Sequence, residues 1–142
     1  MEELLIELEK AIQSIDQMEN ELEFHPIAEE ILNKIKSLPN KWEAVEKILK
    51  IIEENNDKEY GGPGPVGHFL ESFYGNGYEN LLVQSLKRKP GEYTIYLLHR
   101  CINDEKNPNR QEHINLLKKI ANDAEIPEEI RDEAKESLEY FE

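Results

Sequence analysis

Apolar positions recur at the spacing of an α-helix along most of the chain. Successive apolar residues lie three or four positions apart, which places each run of them on one helix face. The first run predicts a helix from about Glu2 to Met18. Its buried face is predicted to consist of Leu5, Leu8, Ile12 and Ile15.

Two further helices are predicted before residue 60. Pro26 suits the first turn of the second helix, where the missing N–H of a proline is not needed. Pro39 closes that helix, whose buried face is predicted to be Ile27, Ile31, Ile35 and Leu38. Asn40 is a favourable N-cap for the third helix, and Glu43 completes a capping box. The apolar stripe of the third helix is Trp42, Val45, Leu49 and Ile52.

The second half of the chain continues the helical pattern. A helix is predicted over residues 78–89, where basic residues in the last turn suit the negative end of the helix dipole. Residues 93–102 are nearly all apolar, which fits either a buried strand or a buried central helix. We favour the helix, because the sequence offers no second strand to pair with it.

The last two helices are predicted to begin at prolines. Asn107 caps a helix that has Pro108 at its first position and ends near Asp123. Pro127, followed by two glutamates, opens the final helix. The buried positions of that helix are predicted to be Ile130, Ala134, Leu138 and Phe141.

A stretch rich in glycine and proline, residues 61–78, interrupts the helical pattern. It holds six of the seven glycines of the chain and two of its seven prolines. Glycine permits positive φ, and proline fixes φ, so the stretch predicts a defined break. The break leads into one short helix from Val66 to Tyr74.

Together these elements predict an all-α fold of about eight short helices in antiparallel pairs. Two architectures remain open at this point, a HEAT-like α-solenoid and an irregular helical bundle. The length of 142 residues predicts a single helical domain, residues 1–142, with a break at 55–67 between two helical halves.

Acidic residues dominate both ends of the chain. The net charge is −14, from 31 acidic and 17 basic residues. Residues 1–30 hold ten acidic residues and one basic residue, and residues 125–142 hold eight and two. Such a field repels nucleic acid and anionic membranes, and it attracts basic proteins. Solubility alone is the competing explanation.

Cysteine usage and the first residues predict a cytoplasmic protein. Cys101 is the only cysteine, so no internal disulfide can form, which favours a reducing compartment. No apolar run approaches the ~20 residues that a membrane span needs. The first residues are acidic, whereas a signal peptide is basic there.

Candidate catalytic and metal-binding residues are few. His68 and Glu71 lie at a spacing that can hold a metal, but the chain contains neither Glu-x-x-His nor His-Glu-x-x-His. His99 is predicted to be a hydrogen-bonded core residue and Cys101 an inert buried thiol. We therefore predict no catalytic residue, no metal and no cofactor. An enzyme that uses His68, Glu71 and His99 is the least favoured hypothesis.

Three segments of the chain carry a resemblance to a known family. These are Gly-Gly-Pro-Gly-Pro-Val-Gly-His-Phe-Leu-Glu-Ser-Phe-Tyr at 61–74 with the following Tyr78, Leu-Leu-Val-Gln-Ser-Leu-Lys-Arg-Lys-Pro at 81–90, and Thr-Ile-Tyr-Leu-Leu-His-Arg-Cys-Ile-Asn at 94–103. They resemble small acidic immunity proteins of bacteria, which pair with polymorphic or contact-dependent-inhibition toxins. The resemblance implies a cytosolic antitoxin that binds and blocks a cognate toxin domain. It leaves open whether the glycine-proline motif is scaffold or interface.

The resemblance and the charge together predict an immunity protein without catalytic activity. Its expected partner is a cognate basic toxin domain such as a nuclease, because an acidic protein can occupy a nucleic-acid groove by mimicking phosphate charge. Neither nucleic acid nor a membrane is an expected partner. The alternative is a helical-repeat adaptor or scaffold that binds another cytosolic protein.

The predicted partner-binding residues flank the glycine-rich break. Aromatic residues cluster there, and exposed tyrosines beside acidic residues are common anchors of protein interfaces. Burial of the same aromatic residues in the core is the competing explanation. The predicted set is Asp57, Glu59, Tyr60, Glu71, Tyr74, Tyr78 and Glu79.

Overall fold

The chain is helical along its described length. The computed structural model describes residues 1–141, and within them it has eight α-helices and no strand, which confirms the all-α prediction. The helices are α1 (Glu2–Gln13), α2 (Glu21–Lys36), α3 (Glu43–Glu54), α4 (Gly64–Glu71), α5 (Tyr78–Arg88), α6 (Glu92–Ile102), α7 (Arg110–Ala121) and α8 (Glu128–Glu139). Within the same residues, no helix has both the length and the apolar composition of a membrane span.

Contacts between residues divide the chain into two compact units. The first unit is Met1–Leu81 and the second is Leu82–Glu142, so the boundary falls inside α5. The glycine-rich break that the sequence predicts at 55–67 joins α3 to α4 and lies within the first unit.

The core of the first unit forms where α1 packs against α2 and α3, and where α2 packs against α4. The predicted apolar stripe of α1 is buried, and Leu8 and Ile12 are fully inaccessible to solvent. Phe24 of α2 is also fully buried. Burial of such a side chain contributes on the order of 2 kcal/mol to folding, so a few such residues decide how these helices pack.

The first helix is shorter than predicted. α1 ends at Gln13, where the Ser14 hydroxyl donates a hydrogen bond to the Lys10 carbonyl at 2.8 Å. Such a local bond from a side chain competes with continuation of the helix. A short 3-10 helix, Ile15–Gln17, follows, so the predicted end at Met18 was wrong.

The second helix begins earlier than predicted. Its N-cap is Asn20, whose side-chain oxygen accepts a hydrogen bond from the N–H of Leu22 at 2.8 Å. Pro26 therefore lies inside α2 rather than in its first turn, and that prediction was wrong. The N-cap hydrogen bond of Asn20, and not the preference of proline for the first turn, therefore sets the start of α2.

The capping box predicted for the third helix does not form. The Asn40 side chain donates to the Glu43 carboxylate at 3.2 Å, so the two side chains bond each other instead of backbone amides. The N-cap position of α3 is Trp42, and no side chain caps the helix.

Two residues predicted to be core are substantially exposed. Ile27 is 44% exposed, because α2 turns Phe24 and Ala28 inward and leaves Ile27 at the edge of the buried face. Trp42 is 40% exposed, and its indole packs against the Phe73 ring with 5.3 Å between ring centroids. Both positions were assigned wrongly from helical spacing alone.

The second unit is built around α6, which packs against both α7 and α8. Its residues Leu97, Leu98 and Ile102 are buried, as is the single cysteine, Cys101, at 5% exposure. At its start the N–H of Gly91 donates to the Thr94 hydroxyl at 3.1 Å. The helix that we favoured over a strand for residues 93–102 is confirmed.

The seventh helix begins later than predicted. Asn107 does not cap it; its side-chain oxygen accepts from the N–H of Asn109 at 2.9 Å, and its side-chain nitrogen donates to the Cys101 carbonyl at 3.1 Å. These bonds close a turn ahead of α7, which starts at Arg110. Pro108 therefore precedes the helix. The prediction that it is the first residue of the helix was wrong.

His99 links α6 to the end of α8. Its Nδ1 atom lies 2.6 Å from the Ser137 hydroxyl oxygen, and its ring centroid lies 5.1 Å from that of Tyr140 and 4.8 Å from that of Phe141. Burial lowers the pKa of His99 from its ordinary value of 6.5, so the folded chain favours the neutral imidazole. The expected hydrogen bond is present, although the residue is only partly buried.

This lowered pKa predicts a loss of stability in mild acid. Below the unfolded-state pKa of about 6.5, the unfolded chain binds a proton at residue 99 more readily than the folded chain does. The free energy of unfolding should therefore fall as pH is lowered from 7.5 towards 5.5. We expect a shallower fall for His99→Gln than for the wild type, measured by urea denaturation across this range.

A matched control is His68→Gln, which removes a histidine whose side chain is 63% exposed. This variant tests whether loss of a histidine elsewhere in the chain changes the slope as His99→Gln does. Equal slopes for the wild type and His99→Gln would show that His99 is not responsible for the acid sensitivity.

Candidate functional site: the glycine-rich turn and the acidic N-terminal surface

The glycine-rich turn, residues 61–64, is packed tightly against α2. Gly61 has a φ of +73°, and a Cβ at this position would lie 2.6 Å from both Glu21 Cβ and His25 Nε2. A Cβ at Gly64, where φ is +59°, would lie 3.1 Å from the same His25 nitrogen. That nitrogen donates to the Tyr60 carbonyl at 3.1 Å. Glycine is therefore required here both for conformation and for close approach.

Tyr60 is a structural part of this turn. It is 3% exposed, and its hydroxyl donates to the Asn55 carbonyl at 3.0 Å. Its ring packs edge-on against Phe24, with 6.4 Å between ring centroids. Burial raises the pKa of Tyr60 well above its ordinary value of 10.0, which keeps the phenol neutral.

The second glycine pair forms the loop that leads into α5. The Glu79 carboxylate accepts hydrogen bonds from the N–H of Gly75 at 2.6 Å and from that of Gly77 at 3.0 Å. Trp42 covers the loop, since a Cβ at Gly77 would lie 3.0 Å from its indole. The loop is thus held by a buried carboxylate on one side and an indole on the other.

The predicted partner-binding residues fall into two groups. Tyr60, Tyr78 and Glu79 are buried and hold the turn and the loop together, so they do not form part of the solvent-facing surface. Glu71 and Tyr74 are partly exposed, and Asp57 and Glu59 are exposed. The carboxylate of Glu71 lies 3.6 Å from the His68 imidazole.

Asp57 lies beside a bridge between distant parts of the first unit. The ammonium of Lys58 lies 2.6 Å from the Asp16 carboxylate and 3.6 Å from that of Asp57. The contact with Asp16 joins the segment after α3 to the 3-10 helix after α1. Asp57 keeps 74% of its side chain exposed, so most of its charge remains available to solvent.

The first 30 residues, which include α1 and the start of α2, present an acidic surface that the predicted set did not include. Of the ten acidic residues in 1–30, nine are exposed: Glu2, Glu3, Glu7, Asp16, Glu19, Glu21, Glu23, Glu29 and Glu30. We call these nine residues the acidic N-terminal surface. Three large aliphatic residues are exposed in the same segment, Ile6 at 51%, Leu22 at 71% and Ile27 at 44%.

The charge of this surface was visible in the sequence, but its apolar residues were not. Ile27 shares helical spacing with buried Ile31, so the pattern assigned it to the core. Leu22 stands alone among glutamates, and a lone apolar residue carries no periodic signal. A surface that combines negative charge with exposed aliphatic side chains can steer a basic protein and then hold it by apolar contact.

A hollow of about 440 Å³ with a mixed polar and apolar lining lies beside the glycine-rich turn. Its lining includes His25, Glu29, Asn33, Lys36 and His68. Its lining carries one acidic and one basic side chain, Glu29 and Lys36, so it does not favour a ligand of either charge. Within residues 1–141, no three histidine, cysteine, aspartate or glutamate side chains lie close enough together to hold a metal ion.

Comparison with known proteins does not assign the chain to a family. The chain matches no protein-family model, no curated protein and no solved structure.

Proposed function

We propose that this protein is a cytoplasmic immunity protein that binds and blocks a basic toxin domain such as a nuclease. The observation that carries the proposal is the acidic N-terminal surface. Nine exposed carboxylates lie within 30 residues that contain a single basic side chain, Lys10. The protein acts by occupying its partner and not by catalysis.

The physical basis is charge complementarity followed by apolar contact. A nuclease binds phosphate groups with lysine and arginine side chains, and a dense set of carboxylates presents a similar negative field to the same residues. Long-range attraction raises the rate of encounter. Exposed aliphatic residues such as Leu22 then supply short-range contacts that slow dissociation.

The glycine-rich motif supports this proposal as scaffold. The motif that resembles those of immunity proteins is the part of the chain that packs onto α2 through His25. It thereby holds α2, which carries four of the nine residues of the acidic N-terminal surface. Buried Tyr60 also packs against Phe24 of α2, whereas buried Glu79 holds the loop before α5. Neither residue needs to touch the partner.

A growth-rescue experiment tests the proposal. The polypeptide encoded immediately upstream is expressed from an inducible promoter, with and without this protein, and growth is followed after induction. We expect the upstream polypeptide to arrest growth alone, and this protein to restore growth and co-purify with it as a stable complex. Arrest without rescue or capture would reject the immunity function and favour the helical adaptor.

A further inference from the structure

An apolar groove lies between α1 and α3 in the first unit. It has a volume of about 350 Å³, and its floor is formed by Leu5, Ile6 and Ile51. Leu5 is buried, Ile51 is partly exposed, and Ile6 is 51% exposed. We call this feature the α1–α3 groove. Apolar surface of this kind is stabilised when another apolar surface covers it.

The two walls of the groove carry opposite charges. Glu2 and Glu9 of α1 line one wall, and Lys47 and Lys50 of α3 line the other. Lys50 pairs with Glu46 on its own helix at 3.5 Å. Among residues 1–141, Glu2, Glu9 and Lys47 form no ion pair within 4 Å, so no salt bridge closes the groove.

We propose that the α1–α3 groove binds an amphipathic α-helix of the toxin domain. Apolar side chains of that helix enter the groove, basic side chains lie along the flank that faces α1, and acidic side chains lie along the flank that faces α3. The inference rests on the proposed function in one respect, which is that the helix comes from the toxin.

Three features point to a helix as the occupant. The surface between two packed helices is a groove of the kind that receives the side-chain ridge of a third helix. Glu2 and Glu9 are seven residues apart, which corresponds to about two helical turns, or ~10 Å, along the groove. Apolar residues at i, i+3, i+4 and i+7 of a bound helix would cover that length.

The charge pattern also disfavours a uniformly basic occupant. Arginines on both flanks would face the glutamates of α1 favourably but would repel Lys47 and Lys50. A helix with basic residues on one flank and acidic residues on the other can place each flank beside the wall of opposite charge. The groove therefore differs from the rest of the acidic N-terminal surface, which attracts positive charge alone.

Designed peptides test the groove without the toxin. A 15-residue split-charge peptide has leucines at i, i+3, i+4 and i+7, arginines on one flank and glutamates on the other. A control peptide keeps the leucines and carries glutamates on both flanks. We expect the split-charge peptide to bind with a Kd on the order of 10–100 μM, and at least about tenfold more tightly than the control, by isothermal titration calorimetry.

Matched variants locate the binding. Ile6→Asp places a charge on the groove floor and should weaken binding of the split-charge peptide by at least about tenfold. Ile27→Asp changes an equally apolar and similarly exposed residue of α2 and should alter binding less than about twofold. Lys47→Glu should weaken binding of both peptides, because both carry glutamates on the flank that faces α3, and the split-charge peptide should remain the tighter binder. Circular dichroism checks that each variant keeps its helical content.

The outcomes separate this inference from the proposed function. Failure of the split-charge peptide to bind, or equal binding by Ile6→Asp, overturns the groove as a helix site. If the peptide binds as expected but the growth-rescue experiment fails, the toxin is overturned as the source of the helix. If the toxin binds the wild type and Ile6→Asp with equal affinity, and the peptide does not compete with it, the inference is also overturned.

Discussion

Gly61→Ala should destabilise the first unit by roughly 3 kcal/mol. The residue has a φ of +73°, a conformation that costs an alanine about 1–2 kcal/mol. The new methyl group would also lie 2.6 Å from atoms of Glu21 and His25, and such overpacking costs about 1–3 kcal/mol more. Urea denaturation followed by circular dichroism measures the change.

Gly62→Ala is the matched control for this prediction. Gly62 has nearly the same φ, +70°, but no atom lies within 4 Å of the position that its Cβ would occupy. We expect this variant to lose only the conformational part, about 1–2 kcal/mol. Equal losses in the two variants would mean that the turn does not pack against α2 as described.

Association with the proposed toxin domain should slow steeply as salt is added. Raising NaCl from 0.05 to 0.5 M should lower the association rate constant by roughly 10- to 100-fold, because salt screens the attraction between exposed charges. The dissociation rate should change much less if, as we propose, apolar contacts hold the complex. Stopped-flow mixing or surface plasmon resonance measures both rates.

Charge reversal at two separate places tests whether the association rate depends on the acidic N-terminal surface or only on the net charge of the protein. Glu3→Lys with Glu7→Lys changes two exposed residues of α1, and should slow association at low salt by about tenfold. Glu136→Lys with Glu139→Lys makes the same change in net charge on α8, in the other unit, and should slow it less than about threefold. Equal effects would show that overall charge, and not the α1–α2 surface, controls encounter.

Much of the helical pattern follows from sequence alone, and the failures have local causes. The stripe on α1 was predicted correctly because burial on one face repeats at the helical period. α6 was identified because a long apolar run without a strand partner must be a helix. The start of α2 was missed because Asn20 and Pro26 offered competing signals, and only one of them set the boundary.

The candidate functional surface was harder to predict than the fold. Tyr60 directly precedes a glycine and Glu79 lies two positions after one, which suggested an exposed loop. In the structure the turn folds back onto His25, a residue 36 positions before Gly61, and this contact buries the neighbouring tyrosine. No local sequence pattern predicts this contact between the turn and His25. The exposure of Ile6 likewise depends on how α1 and α3 pack, which periodicity does not specify.

The chain carries one natural optical probe and one natural chemical probe, in different units. Its single tryptophan, Trp42, lies against Phe73 and Gly77 in the first unit, with 5.3 Å between the indole and phenyl centroids. Its single cysteine, Cys101, is buried in α6 of the second unit. Fluorescence therefore follows the opening of one unit, and alkylation of the thiol follows the opening of the other. Coincident transitions identify a single cooperative protein, whereas separated transitions identify two independently melting halves.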